Sequence, residues 1–198
     1  MTPDILTGLA LFAFVSTFTP GPNNLMLMAS GANFGFRRTL PHMLGITVGV
    51  VVMILVVGGG LVQVFDAYPS IYEVLRVASV VYLLFLAWKI GTASNAHEKA
   101  LTGSPMTFLQ AAAFQWVNPK AWAMALTAIS VYIPAQTTGA VLFAAAMFGA
   151  VSLPSVSSWT VLGQQLARLL TSPVRLRVFN WTMAGLLVAS LYPVILPG

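Results

Sequence analysis

Apolar residues run along this chain in long blocks, with polar residues gathered in the short gaps between them. Six blocks can be read, at about 5–33, 41–64, 70–90, 107–133, 138–162 and 175–196. A helix needs about 20 residues to cross the hydrocarbon core of a bilayer, so each block predicts a membrane-spanning helix. Blocks one and four are the long ones. An unbroken helix over 5–33 would run about 43 Å at 1.5 Å per residue, well beyond the core thickness.

The excess length coincides with proline-bearing interruptions. The first block contains Thr19-Pro20-Gly21-Pro22-Asn23-Asn24 and the fourth contains Asn118-Pro119-Lys120. Pro20, Pro22 and Pro119 each remove a backbone donor, and Gly21 adds freedom, so helices 1 and 4 are expected to be broken. In lipid every loosened backbone group must find a partner. A pair of interrupted spans in corresponding halves is a sequence pointer to a transporter's binding site.

The one long polar stretch, 92–106, carries Ser94, Asn95, His97, Glu98, Lys99, Ser104 and Pro105 and divides the chain into halves. Each half then holds three spans with the break in its first. An odd span count makes the second half inverted. The expectation is an all-α polytopic membrane protein of six transmembrane helices in two inverted three-helix repeats. It forms a single transmembrane domain over 1–198, with repeat 1 at about 1–91, a cytoplasmic linker at 92–106 and repeat 2 at 107–198.

Composition supports the class. Of 198 residues, 58% are hydrophobic and 7% charged, against about 25% charged in soluble domains. The net charge of +5 does not signal nucleic acid, because the basic residues are scattered over loops and helix ends and form no stripe. They read as topogenic. Arg37 and Arg38 fall between spans one and two, Lys89 and Lys99 flank the linker, and Arg168, Arg175 and Arg177 fall between spans five and six. The other side carries Asp4, Asp66 and Glu73, with Arg76 as its basic residue near a span end. By the positive-inside rule both termini face away from the cytoplasm. The N-terminal segment has Asp4 and no Lys or Arg before its apolar run, so it reads as a retained span rather than a signal peptide.

Candidate chemistry concentrates at the breaks. Lys120 falls near the centre of span four, where a cation costs at least about 2.5–3.5 kcal/mol. It either pairs with a substrate carboxylate or is neutralised by backbone carbonyls freed at Pro119. Asn23, Asn24 and Asn118 either help bind substrate or cap the half-helices. A half-helix starting near Asn24 would turn its positive end toward an anionic group. Gln115 points either into a cavity or to a hydrogen bond between helices. Ser152, Ser155, Ser157 and Ser158 surround Pro154 in span five, where most serines of this kind bond their own helix. Gly45 and Gly49 fit small-residue helix packing. Trp116 and Trp122 bracket the second break, and Trp88 reads as an interfacial anchor.

Other chemistries are excluded or unsupported. There are no cysteines, which removes thiolate metal sites and disulfide exchange. His42, at a span end, and His97, in the linker, have no second ligand nearby, so no metal site is expected. No cofactor motif, catalytic triad or phosphate loop is present, and no enzyme activity is expected. No Asp or Glu falls deep inside a predicted span, so coupling to a proton or sodium gradient is left to Lys120, to freed carbonyls, or to a carboxylate near a span end.

At these residues the chain resembles the LysE/RhtB family of amino-acid exporters. The matching stretches are TPGPNNLMLMASGANFGFRRTLPHMLGITVG, YLLFLAWKIGTA and FLQAAAFQWVNPKAWAMALTAIS. LAWKI and NPKAWAMALTAIS resemble the cysteine/O-acetylserine exporter branch. The resemblance implies a six-helix exporter of the bacterial inner membrane, working on amino acids or close derivatives. It carries the family's motif onto Gly21, Pro22, Asn23, Asn24, Asn118, Pro119 and Lys120. The missing buried carboxylate disfavours a doubly cationic substrate and leaves small neutral amino acids. The expected partners are that substrate and the bilayer, with a homo-oligomer open. The alternative reading is an ion channel whose broken helices coordinate an ion through carbonyls.

Overall fold

A computed structural model describes residues 2–61, 69–92, 104–133, 137–170 and 172–192. Asp66 and the linker residues Ser94, Asn95, His97, Glu98 and Lys99 lie outside the described residues. Those described form helices and no strand. In chain order they are α1 (Pro3–Phe18), α2 (Pro22–Val56, continued by a π-helical turn at Val57–Leu61), α3 (Pro69–Gly91), α4 (Phe108–Phe114, continued by a 3-10 turn at Gln115–Val117), α5 (Pro119–Tyr132), α6 (Thr138–Ala167) and α7 (Pro173–Ala189).

Prolines punctuate this order. Pro22 and Pro119 stand at the first positions of α2 and α5, where a missing N–H removes a donor that would be orphaned anyway. Thr107 caps α4 in a reciprocal capping box with Gln110, and Ser172 caps α7.

α2 is not one straight rod. Gly35 adopts φ 77 and ψ 171, a conformation open essentially to glycine. The hydroxyls of Ser30 and Thr39 meet at 2.9 Å across it. Nine residues of continuous helix would separate them by about 13 Å along the axis, so the chain folds back at Gly35 into arms 22–34 and 36–56. Leu27 of the first arm and Met43 and Ile46 of the second share one buried cluster. The Phe36 N–H, which loses its helical acceptor at this reversal, donates to the Gln164 side chain of α6 at 3.1 Å. Arg37 and Arg38, expected between two spans, are helical and start the second arm.

Close backbone approach holds α2 against its neighbours. A Cβ on Gly31 would strike the Thr160 backbone of α6, and one on Gly163 would strike the Met28 backbone of α2. Gly45 and Gly49 face the α4 backbone at Phe108 and Ala112 in the same way, which is the small-residue packing read from the sequence.

The outward surface is apolar. Leu11 is 60% exposed, Val81 62%, Trp88 64% and Val178 61%. Water rejects such a surface, whereas hydrocarbon accepts it. Among the described residues, three helical stretches are long and apolar enough to cross a membrane by length and composition: Pro22–Leu61, Glu73–Gly91 and Thr138–Ala167. Pro3–Phe18 is apolar but shorter. The described residues thus form a helical bundle with the surface of a membrane protein.

Candidate functional site

The end of α1 and the start of α5 meet. A helix leaves its last carbonyls without partners, and those of α1 can be followed one by one. The Ser16 carbonyl accepts from the Thr19 hydroxyl at 3.2 Å. That of Thr17 accepts from Asn24 Nδ2 at 2.7 Å and from the Ser155 hydroxyl of α6 at 2.8 Å. The Phe18 carbonyl accepts from the Trp159 indole at 3.2 Å. The Thr19 carbonyl accepts from Asn24 Nδ2 at 2.8 Å and from Lys120 Nζ at 2.7 Å. Pro20 accepts from Lys120 Nζ at 3.2 Å, and the Gly21 carbonyl starts α2 by accepting from the Leu25 N–H at 3.0 Å.

Lys120 also donates to the Thr19 hydroxyl at 2.9 Å. Its ammonium is therefore held by oxygens of the first break, about 100 residues away in sequence. The sequence left two readings, a substrate carboxylate or carbonyls freed at Pro119; the carbonyls present belong to Thr19 and Pro20 instead. The lysine stem crosses Gly21, where an added Cβ would lie 2.6 Å from Lys120 Cδ. Gly21 has φ near −179, a conformation any residue adopts, so its need for glycine is steric.

A second bridge joins the breaks. Asn23 Nδ2 donates to Gln115 Oε1 at 2.9 Å, and Gln115 Nε2 donates back to Asn23 Oδ1 at 3.1 Å. Gln115 is fully buried and also donates to the Ala111 carbonyl at 2.9 Å. Asn118 caps α5 by accepting from the Lys120 N–H at 3.1 Å, which is the capping role. Asn24, buried at 5% exposure, caps no helix start. Its amide serves the loose carbonyls of α1. Trp122 donates to the Trp116 carbonyl at 2.9 Å, and the two rings pack edge to face at 5.8 Å.

All five candidate binding residues thus come together. Between them lies a cavity of about 30 Å3 touched by Asn23, Asn24, Asn118, Lys120, Ser152 and Ser155. A water fits such a space, whereas ligand pockets usually start at about 300 Å3. The site is closed.

Further contributors come from the serines around Pro154 and from outside the candidate set. Ser155 reaches across to Thr17, and Ser152 meets Thr47 of α2 at 3.2 Å; only Ser158 shows the expected bond to its own helix, at the Pro154 carbonyl. Thr19 and Trp159 supply polar atoms that nothing in a Pro-Gly-Pro pattern announces. His42, expected at a span end, is buried inside the second arm of α2 at 2% exposure. Both of its ring nitrogens lack a hydrogen-bond partner among the described residues.

Comparison with known proteins adds the family. The family described as LysE type translocator matches residues 14–191. The chain is 31% identical over 137 residues to the cysteine/O-acetylserine efflux proteins of Escherichia coli (strain K12) and Shigella sonnei (strain Ss046). The match covers 69% of this chain and 70% of each relative. The corresponding protein of Shigella flexneri serotype 5b (strain 8401) matches to the same extent. No solved structure matches the chain.

Proposed function

The chain belongs to the LysE type translocator family, and on that premise we propose that it is a secondary exporter of amino acids or close derivatives across the bacterial inner membrane. Small neutral amino acids are the substrate class. Cysteine and O-acetylserine, named in the matching efflux proteins, are the first candidates. The work is transport, not catalysis, and either a proton or a sodium gradient drives it.

The observation that carries this reading is the mutual engagement of the two breaks. Lys120 of one holds Thr19 and Pro20 of the other, while Asn23 and Gln115 exchange amide bonds beside them. A substrate carboxylate is a stronger partner for Lys120 than a neutral carbonyl. It would draw the ammonium off the first break and loosen the bridge that keeps the halves closed.

The architecture proposed is six spans in two inverted repeats, with helices 1 and 4 broken, in one domain over 1–198. Support comes from parallel order. α1 and the 22–34 arm, parted at Pro20–Pro22, correspond to α4 and α5, parted at Asn118–Pro119; the 36–56 arm corresponds to α6, and α3 to α7. Rocking of one repeat against the other would expose the site to each side in turn. The distribution of positive residues supports termini that face away from the cytoplasm.

The channel reading is disfavoured by a cavity of only about 30 Å3 with a cation on its wall. Proteoliposomes loaded with labelled amino acids, with and without a proton or sodium gradient, test the proposal. Gradient-driven efflux of small neutral amino acids is expected; currents without any amino-acid movement would favour the channel. Lys120→Met is expected to abolish efflux while insertion and folding persist, and full export by that variant would end the carboxylate role.

A further inference from the structure

We propose that the Thr19 carbonyl, the Thr19 hydroxyl and the Pro20 carbonyl form the site for the α-ammonium group of the transported amino acid, and that Lys120 occupies this site when no substrate is bound. The inference rests on the exporter reading and adds to it a second pole of recognition.

The donor count is the first observation. A primary ammonium carries three donors and no acceptor. Lys120 Nζ makes three contacts, each to an oxygen of the first break, at 2.7, 2.9 and 3.2 Å. The α-ammonium of an amino acid has the same charge and the same three donors. A cradle that satisfies one satisfies the other.

The second observation is the kind of partner. A half-buried lysine is ordinarily matched by a carboxylate. Among the described residues the one ion pair is Arg76 with Glu73, on α3. Lys120 is instead held by neutral oxygens, which a carboxylate outcompetes. Asn24 Nδ2 orients the Thr19 carbonyl from the other side and acts as a positioning residue.

A zwitterion can take both places in one exchange. Its carboxylate draws Lys120 away along Gly21, and its ammonium fills the oxygens that Lys120 leaves. Every charge and acceptor ends with a partner. A carboxylate without an amine leaves the Pro20 carbonyl and the Thr19 hydroxyl without their cation and the Thr19 carbonyl with Asn24 alone, and an amine without a carboxylate must displace Lys120 and leave it unpaired. Charge-assisted hydrogen bonds are roughly twice as strong as neutral ones, so the site favours molecules that carry both charges. Thr19 and Pro20 are exposed, so the cradle is not buried beneath other protein atoms. Gly21 and Lys120 both line the small cavity, so withdrawal of the lysine stem enlarges it.

Equilibrium binding to the purified full chain, measured by calorimetry, tests this. One series is L-cysteine with 3-mercaptopropionate and cysteamine, and a second is L-serine with 3-hydroxypropionate and ethanolamine. The parent is expected to bind an amino acid at least about tenfold more tightly than either of its single-charge analogues. Lys120→Met empties the cradle, and the amine-only analogue is then expected to bind at least about tenfold better than it does to the parent. A deamino analogue within about threefold of its amino acid in the parent would overturn the ammonium site. So would an amine affinity unchanged by Lys120→Met. If the parent neither binds nor exports any amino acid, the exporter reading falls and this inference with it. Amino-acid binding without discrimination against the deamino analogue removes this inference alone.

Discussion

Lys120 separates what a residue's type can tell from what its surroundings decide. A cation in the middle of an apolar block announces itself, because insertion penalises it and only function or a strong partner keeps it there. Its partners do not announce themselves: backbone carbonyls have no sequence signature, and Thr19 was one polar residue among several. Gly21→Ala tests the arrangement without disturbing the backbone. Its φ is allowed to alanine, but the new methyl would meet Lys120 Cδ and Nζ. Folding should be unchanged while efflux falls about tenfold or more, read as initial rates in proteoliposomes. The Asn23–Gln115 pair was legible only as two candidate amides. Gln115→Leu removes both amide bonds that Asn23 makes to it and should destabilise the bundle by about 1–3 kcal/mol in a detergent melt. His42 behaves oppositely. Its ring nitrogens have no partner among the described residues, so His42→Leu should raise stability by about 1 kcal/mol in the same assay.

At the scale of elements, helix ends near proline were legible because proline acts locally. Helices start at Pro22 and Pro119, at the Pro-Gly-Pro and Asn-Pro positions read as breaks. The blocks read at 5–33 and 41–64 also anticipated a change of direction near residue 35. What the sequence could not supply is how sharp that turn is. Helical bonding runs through both arms of α2, and the reversal depends on one glycine and on a side-chain acceptor from a distant helix. Gln164 is that acceptor, and no local pattern links it to Phe36. Gly35→Ala should cost about 1–3 kcal/mol through backbone strain alone, since an added Cβ there meets nothing within 4 Å. Thermal unfolding of Gly35→Ala beside Gln164→Leu would show whether strain or the orphaned Phe36 N–H weighs more.

For the whole molecule, composition settled the class early, since a chain 58% hydrophobic and 7% charged has no aqueous solution to its surface. The exposed apolar side chains of α1, α3 and α7 agree with lipid around the bundle. Long-range assembly was less legible, because contacts between the breaks span about 100 residues and depend on packing rather than local pattern. One further feature sets how freely this architecture can drift. Where Gly31 meets Thr160 and Gly163 meets Met28, main chain touches main chain, with no side chain between to absorb a change. In a saturation mutagenesis screen scored for export, positions 31 and 163 should therefore be the most intolerant of the chain, rejecting even alanine. Leu11 and Val81, facing outward, should accept almost any apolar residue. The tolerance map of this protein would then be the inverse of a soluble domain's, permissive at its greasy exterior and closed at two hydrogen atoms in its middle.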